Sequence, residues 1–312
     1  MSEISVLVPS YNHAPFIERS LRSIFAQTIP IKKLIVIDDG SKDESVAVIE
    51  TVLADCPFAY EFIKRENRGL CATLNEGFDK TGGAYFAYLG SDDVWLPTFL
   101  DEQTALLDSR PDAVLAFGHG YLIDEHDNII DRTDNWFRFG DDVLPQLLRG
   151  EIFPSAGVLY RRSALKKYGW NENALLEDYE LYLNLYPDGE FAQNGKLLCA
   201  WRQHGRNTSG DFQLMLQEHL AAQQRSAEKL GISPAELESV QHAIKFRAVS
   251  GYIRSGNIRE AISLFWESRK GAESPYQAVK ILSRIAVPQR LFQWNRRRKR
   301  NNAIAANGKL RL

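Results

Sequence analysis

Nowhere in the 312 residues do about 18 consecutive apolar side chains follow one another, the length a bilayer-spanning helix needs, so a membrane-embedded helix is excluded. No secretory leader is expected either, because the first apolar stretch, Ile4-Ser5-Val6-Leu7-Val8, is only as long as a strand. Cysteine is scarce: Cys56, Cys71 and Cys199 are odd in number and show no metal-ligand spacing, which argues against a disulfide framework and for a reduced, cytoplasmic compartment. Charge of one sign is not in excess. With 38 basic against 40 acidic residues and a formal net charge of −2, the chain does not advertise a nucleic-acid partner. What it does have is an ordinary 44% apolar content, enough for a large packed domain and a smaller second one.

Within that content, apolar runs end repeatedly in polar, turn-forming residues. Ile4–Val8 and Pro9 lead into Ser10-Tyr11-Asn12, and Leu34–Ile37 leads into Asp38-Asp39-Gly40-Ser41. Tyr60–Lys64 leads into Arg65-Glu66-Asn67-Arg68-Gly69, and Ala84–Leu89 into Ser91-Asp92-Asp93. Two adjacent carboxylates at the end of a buried strand are costly unless a cation meets them. A hard divalent ion bridging them to phosphate oxygens would do so, which points to a phosphate-bearing ligand.

Between these strands lie helical periodicities. Phe16, Ile17, Leu21, Ile24 and Phe25 follow Pro15; Val46, Ile49 and Leu53 follow a capping-box pattern of Ser41 and Glu44; Leu70, Leu74 and Phe78 mark a third face, and Phe99, Leu100, Leu106 and Leu107 a looser fourth. Strand then helix, repeated, predicts an α/β fold with a mainly parallel sheet. In such a sheet ligands sit beyond the carboxyl ends of the strands, so the four loops are expected to converge on one crevice.

From about residue 211 the texture becomes helical throughout, which divides the chain into an α/β region, 1–210, and a helical region, 211–312. Ser233-Pro234-Ala235-Glu236 starts one helix, and residues 248–265 resemble a single tetratricopeptide-like hairpin turning at Gly256-Asn257. Near the end, Leu282, Ile285, Leu291, Phe292 and Trp294 precede Arg296-Arg297-Arg298-Lys299-Arg300. Two readings stand side by side for residues 285–300: a basic amphipathic segment resting on an anionic membrane surface, or a disordered, solvated tail after the last helix. Pro288 interrupts a clean amphipathic helix in either case.

Taken in order, Val8-Pro9-Ser10-Tyr11-Asn12, Val36–Ser41, Asn67-Arg68-Gly69 with Asn75-Glu76-Gly77, Ser91-Asp92-Asp93 and Leu176-Glu177-Asp178-Tyr179-Glu180-Leu181 resemble the signature of family 2 glycosyltransferases of GT-A fold. The likeness covers roughly residues 3–210. It implies an inverting, hexosyltransferase-type enzyme that uses Mn²⁺ or Mg²⁺. The donor would be a nucleotide-diphospho-sugar, usually a UDP-sugar, and the acceptor a saccharide or lipid-linked saccharide in surface-polysaccharide assembly. The cysteine usage points to the cytoplasm, and the basic segment 285–300 to the inner face of the cell membrane as a peripheral site.

The same resemblance assigns roles. Pro9, Tyr11, Asn12 and Asp39 would hold the donor base, with Asn67, Arg68 and Gly69 as the next nucleotide-contacting loop. Asp92 and Asp93 would share metal and ribose, the division between them left open because Gly90 stands where many relatives carry another Asp. Asp178, beside Glu177, would be the base that deprotonates the acceptor hydroxyl. His204, in Trp201-Arg202-Gln203-His204 with Asn207 and Ser209 beyond, would complete the metal shell, contact phosphate or cap its loop. Blander readings accompany several of these. Asp39 suits a turn before Gly40, Arg68 an exposed arginine, and Glu177-Asp178 the first turn of a helix, where carboxylates are favoured. His13, His119, His126, His219 and His242 lack ligand spacing and read as surface or packing residues. Gly157 suits either close approach to a ligand or a strand irregularity, and Leu74 departs from an arginine common in relatives. Two other functions compete with this one: a nucleotidyltransferase, disfavoured because no glycine-rich phosphate loop follows the first strand, and a catalytically silent nucleotide-binding scaffold acting through its helical region.

Overall fold

The computed structural model describes residues 3–136, 139–140, 142–205, 207 and 210–311. Ser209 lies outside the described residues. The chain begins β1 (Ile4–Ser10), α1 (Ile17–Phe25), β2 (Lys33–Asp38), α2 (Ser45–Leu53), β3 (Tyr60–Lys64) and α3 (Leu70–Asp79). It continues β4 (Tyr85–Tyr88), β5 (Val94–Trp95), α4 (Phe99–Ser109), β6 (Ala113–Ile123), β7 (Ile129–Arg132), α5 (Leu144–Leu148), β8 (Val158–Arg161), α6 (Arg162–Leu165), α7 (Tyr179–Leu185) and β9 (Glu190–Arg202). Helices α8 (Phe212–Ser226), α9 (Pro234–Ser255), α10 (Ile258–Ser268), α11 (Pro275–Ile285) and α12 (Gln289–Asn307) follow.

Among the described residues the strands form one mixed sheet in the order β3-β2-β1-β4-β8-β6-β9-β5, with β7 paired to β6. Pairing is parallel from β3 through β4 and between β6 and β9, and antiparallel at β8, β5 and β7. Strand β1 is buried along its whole length because helices cover both faces, which is why it reads as a continuous apolar run. Successive side chains nevertheless part company: Ile4, Val6 and Val8 join one core with Leu21, Ile49 and Phe99, while Leu7 joins the other with Leu74, Phe78 and Tyr179. Register then levels the strand ends. Ser10 faces Asp38 and Asp38 faces Lys64, so the loops after β1, β2 and β3 leave the sheet side by side.

Local details correct three expectations. The Ser41/Glu44 capping box does not form: α2 begins at Ser45, whose N–H donates to Asp43 Oδ1 at 3.0 Å. Ser41 instead donates its hydroxyl to Asp38 and accepts the Asn12 N–H at 2.8 Å, tying the β1 and β2 loops together. Gly157 permits close approach to protein, since a Cβ there would sit 3.0 Å from the Gly118 carbonyl of β6. The basic segment near the carboxyl end is no disordered tail. It forms α12, whose start Pro288 caps, and that proline does break the apolar stretch, leaving Leu282 and Ile285 on α11 and Leu291, Phe292 and Trp294 on α12.

The helical region has a core of its own around Phe246, Val249, Ile253 and Phe265, with Gly256 in the left-handed conformation at the α9–α10 turn. It also grips the sheet region, α9 through the Arg247–Glu151 pair among other contacts. Helix α8 lies on α7, where Arg225 and Glu180 pair at 2.6 Å and Gln223 donates to the Tyr179 hydroxyl at 2.9 Å. Beyond α12 the chain returns to the sheet, burying Leu310 among Val94, Ile123, Ile129 and Ala200. No described helix is long and apolar enough to cross a membrane.

Candidate active site

A cavity of about 830 Å³ opens at the carboxyl ends of β1, β2, β3 and β4. Pro9, Tyr11, Asn12, Asp39, Asn67, Gly69, Asp92, Asp93, Glu177, Asp178 and His204 all line it. The side chain of Arg68 does not; it turns to Glu76 at 3.4 Å, and only its backbone N–H points inward, to Asp39. The cation of this loop that turns into the fold is the partly buried Arg65, which sequence reasoning passed over. It pairs with Asp39 and donates to the Thr73 hydroxyl at 2.7 Å.

Asp39 is held firmly. Its Oδ1 accepts from Arg65 and from the Arg68 N–H, and its Oδ2 from the Gly69 N–H at 2.9 Å. An ionised carboxylate offers about four acceptor directions, so one remains on Oδ2. Gly69 reaches this bond with φ +89°, a conformation open to glycine. Nearby, Tyr11 stands 46% exposed at the rim, unlike most large aromatics of the sheet region.

On the other side of the cavity the acidic turn meets two imidazoles. Asp92 Oδ2 is 3.0 Å from His204 Nε2, and Asp92 Oδ1 is 3.8 Å from His13 Nδ1. One donor atom from each of the three residues falls within 4.8 Å of the others, a grouping fit for a divalent cation. His13 is thus drawn into the site, contrary to the surface or packing reading, because the turn after β1 places its ring 2.8 Å from the Ser91 hydroxyl. His119, His126, His219 and His242 stay outside the lining; His219 packs edge-on against Tyr179, and burial drives its ring down to about 4, so it is neutral.

Asp92 and Asp93 are treated differently by their surroundings. Burial works to raise the Asp92 carboxyl, but the His204 hydrogen bond and the His13 and His204 charges outweigh it and hold Asp92 below its usual range. Asp93 accepts the Arg202 N–H at 2.8 Å, yet burial and then the Asp92 charge push it well above. Gly90 makes room for both: a Cβ there would lie 3.1 Å from Asp92 Oδ1 and 3.3 Å from Asp93 Oδ2. The ring of Phe16 stacks on His204 at 5.1 Å, with the Arg202 guanidinium 4.9 Å from its centroid.

Glu177 and Asp178 form the far end. Asp178 occupies the N-cap of α7 without a capping side-chain bond, leaving its carboxylate to the cavity. Burial first and the Glu177 charge second push the Asp178 carboxyl well above the ordinary range. Glu177 is raised as well, chiefly by burial, with the Tyr88 hydroxyl at 3.2 Å opposing the rise. The motif asparagine Asn75 braces this end from below, donating to the Trp170 carbonyl at 2.8 Å and accepting its N–H. Leu74 is core, fully buried.

The mixed α/β sheet, with its strand ends converging on one cleft, is of GT-A type, the fold it shares with the solved structures below. The sequence profile of glycosyl transferase family 2 matches residues 5–169, and the chain belongs to that family. It is 28% identical over 235 residues to chondroitin synthase of Escherichia coli, covering 73% of this chain and 33% of that protein. In general the chain spans about a third to a half the length of the first curated relatives it matches. Among solved structures it resembles a mannosyltransferase of Pyrobaculum calidifontis in complex with GDP-Man and Mn²⁺, with TM-score 0.61, 17% identity and coverage of 98% and 87% of the two chains. It also resembles S. aureus TarS 1–349 in complex with UDP-GlcNAc, with TM-score 0.60, 15% identity and coverage of 96% and 89%.

Proposed function

We propose that this chain is an inverting, metal-dependent glycosyltransferase that moves a sugar from a nucleotide-diphospho-sugar, a UDP-sugar, to a saccharide or lipid-linked saccharide in surface-polysaccharide assembly. The observation that carries this reading is a single cavity with the His13–Asp92–His204 group on one wall and the Glu177–Asp178 pair on another. The fold neighbours solved with GDP-Man and with UDP-GlcNAc support a nucleotide-sugar donor.

The donor base lies against Tyr11, and the remaining acceptor direction of Asp39 Oδ2 takes one ring N–H. Asn67 and Gly69 flank the nucleotide. Asp92, His13 and His204 hold the cation, and two imidazoles beside one carboxylate suit Mn²⁺ better than Mg²⁺, which prefers an all-oxygen shell. When bound, such an ion neutralises charge gathering on the departing diphosphate. Asp93 keeps its acidic neighbour oriented through the Arg202 backbone. Asp178 takes the acceptor proton, and its raised affinity for protons suits that task, since a base is most effective with a pKa near the working pH.

Residues 285–300 are proposed to rest on an anionic membrane face. No Asp or Glu occurs from Ser274 to Leu312, while Leu291 and Trp294 stand exposed beside Arg296–Arg300. The test of the main reading is nucleotide release from a panel of UDP- and GDP-sugars with and without Mn²⁺. Release that depends on Mn²⁺ supports it; no release from any donor with oligosaccharide or lipid-linked acceptors overturns it.

A further inference from the structure

Among the described residues Arg202 is the largest charged side chain that is fully buried, and its bonds join the acidic turn to the turn between β6 and β7. Its N–H holds Asp93 Oδ1 and its Nε donates to the Asp92 carbonyl, both at 2.8 Å. At its other end, Nη1 donates to the Asp124 carbonyl at 2.8 Å and Nη2 pairs with Asp127 Oδ1 at 2.7 Å. Residues 124–127 form the turn between β6 and β7, and that turn is clasped by the last residues of the chain. Leu310 N–H donates to the Asp127 carbonyl at 2.9 Å, Ile129 N–H donates to the Gly308 carbonyl at 3.0 Å, and Lys309 bridges to Asn128. Arg300 of α12 pairs with Asp124 at 2.8 Å, and Arg19 donates to the Leu310 carbonyl at 2.8 Å.

The Leu310 side chain adds a second route. It packs in the cluster that contains Val94, the residue directly after Asp93, and Ala200, two residues before Arg202. A hydrophobic plug from the carboxyl end therefore sits beneath both strands that deliver Asp92 and His204 to the cavity.

We propose that the strap Gly308–Leu310 positions the metal-binding turn, acting through the 124–127 turn and Arg202, which makes Arg202, Asp127 and Leu310 positioning residues. The proposal rests on the reading of Asp92, His13 and His204 as metal ligands. Ligand groups that are not held in place bind a cation less tightly, because the site must then be ordered on binding.

Titration of the full-length protein with Mn²⁺, followed by the electron paramagnetic resonance signal of the free ion, tests it without recourse to turnover. Two variants are read against wild type: Leu310→Ala, which empties the plug, and Asp127→Asn, which removes the charge while keeping a residue type that tolerates the φ of +64° found there. Each is expected to weaken Mn²⁺ binding about three- to tenfold, short of the roughly 10- to 100-fold loss seen when a partner of the ligand itself is removed. Leu310→Met, which refills the plug, should restore it. Thermal melting of the metal-free proteins separates this from unfolding, and if Leu310→Ala melts far below wild type then Asp127→Asn decides. Unchanged Mn²⁺ affinity in a folded Asp127→Asn protein overturns the proposal while leaving the metal site standing. Wild-type protein that binds no Mn²⁺, or binds it undiminished after Asp92→Asn, overturns the underlying reading instead.

Discussion

His204 Nε2 lies 3.0 Å from Asp92 Oδ2 although the two residues are 112 positions apart. The contact joins the loop after β4 to the loop after β9, and His13 from the loop after β1 closes the group. If this is the cation site, Asp92→Asn and His204→Ala each lower Mn²⁺ affinity at least about tenfold, measured by ion titration. His13→Ala does the same; wild-type affinity in that variant would reduce His13 to a partner of Ser91.

The base assignment separates chemistry from binding. Asp178→Asn is expected to keep donor-nucleotide affinity within a few-fold while transfer falls at least about 10²-fold, the usual share of general-base assistance. Comparing nucleotide Kd with single-turnover rates checks it. Near-normal turnover removes Asp178 from the mechanism.

A pH profile tests the same group from another direction. A base must be ionised to work, and burial plus the Glu177 charge raise Asp178, so kcat declines as pH falls through a value above the ordinary aspartate pKa of about 3.9. Glu177→Gln removes the neighbouring charge, lowers the Asp178 pKa and shifts the acidic limb to lower pH. A limb that stays put would show that the titrating group is not Asp178.

Gly40 sets the spacing between the loops after β2 and β3. Its φ is +80°, and a Cβ would lie 2.8 Å from the Asn67 nitrogen and 3.2 Å from the Arg65 carbonyl. Gly40→Ala is expected to cost about 1–3 kcal/mol of stability and to weaken nucleotide binding by displacing residues 65–69. Thermal melting with nucleotide titration reports both, and an unaltered Kd would detach Gly40 from the pocket.

For membrane contact, point changes are preferable to truncation, because cutting away residues 285–312 would also remove Leu310 from beneath β5. Replacing Arg296, Arg297 and Arg298 by Gln spares Arg300, which is engaged with Asp124. At roughly 1 kcal/mol per basic residue, partition onto anionic vesicles should drop about a hundredfold. Equal co-sedimentation of variant and parent would leave α12 as an ordinary surface helix.

The strand ends were readable in the sequence because each is a local event, an apolar run halted by turn-forming polar residues, and levelled register then brings them together. Helix starts were readable in part: the helix expected at Ser233-Pro234-Ala235-Glu236 does begin at Pro234, whereas the Ser41 and Glu44 pattern gave no capping box because Ser41 is engaged by Asp38 and Asn12. What escaped were pairings with no local signature. His13 looked like one histidine among six until the fold set it against residues 91 and 92. Arg65 and Arg202 carry no mark that distinguishes a cation engaged within the fold from an exposed one; only their carboxylate and carbonyl partners, some more than a hundred positions distant, do so. Least legible was Leu310, 291 positions from the arginine that binds its carbonyl.

Glu180 gives the seam between the two regions a practical meaning. It lies two residues past Asp178 in α7, buried, with both oxygens taken by Asn171 and by Arg225 of α8. A chimaera spliced at residue 210 with another protein's helices would strand this carboxylate unless the graft brought an arginine to the same spot. Interchangeable tails are thus those that carry a matching counter-ion, and the helical region travels with the catalytic groove as a fitted part.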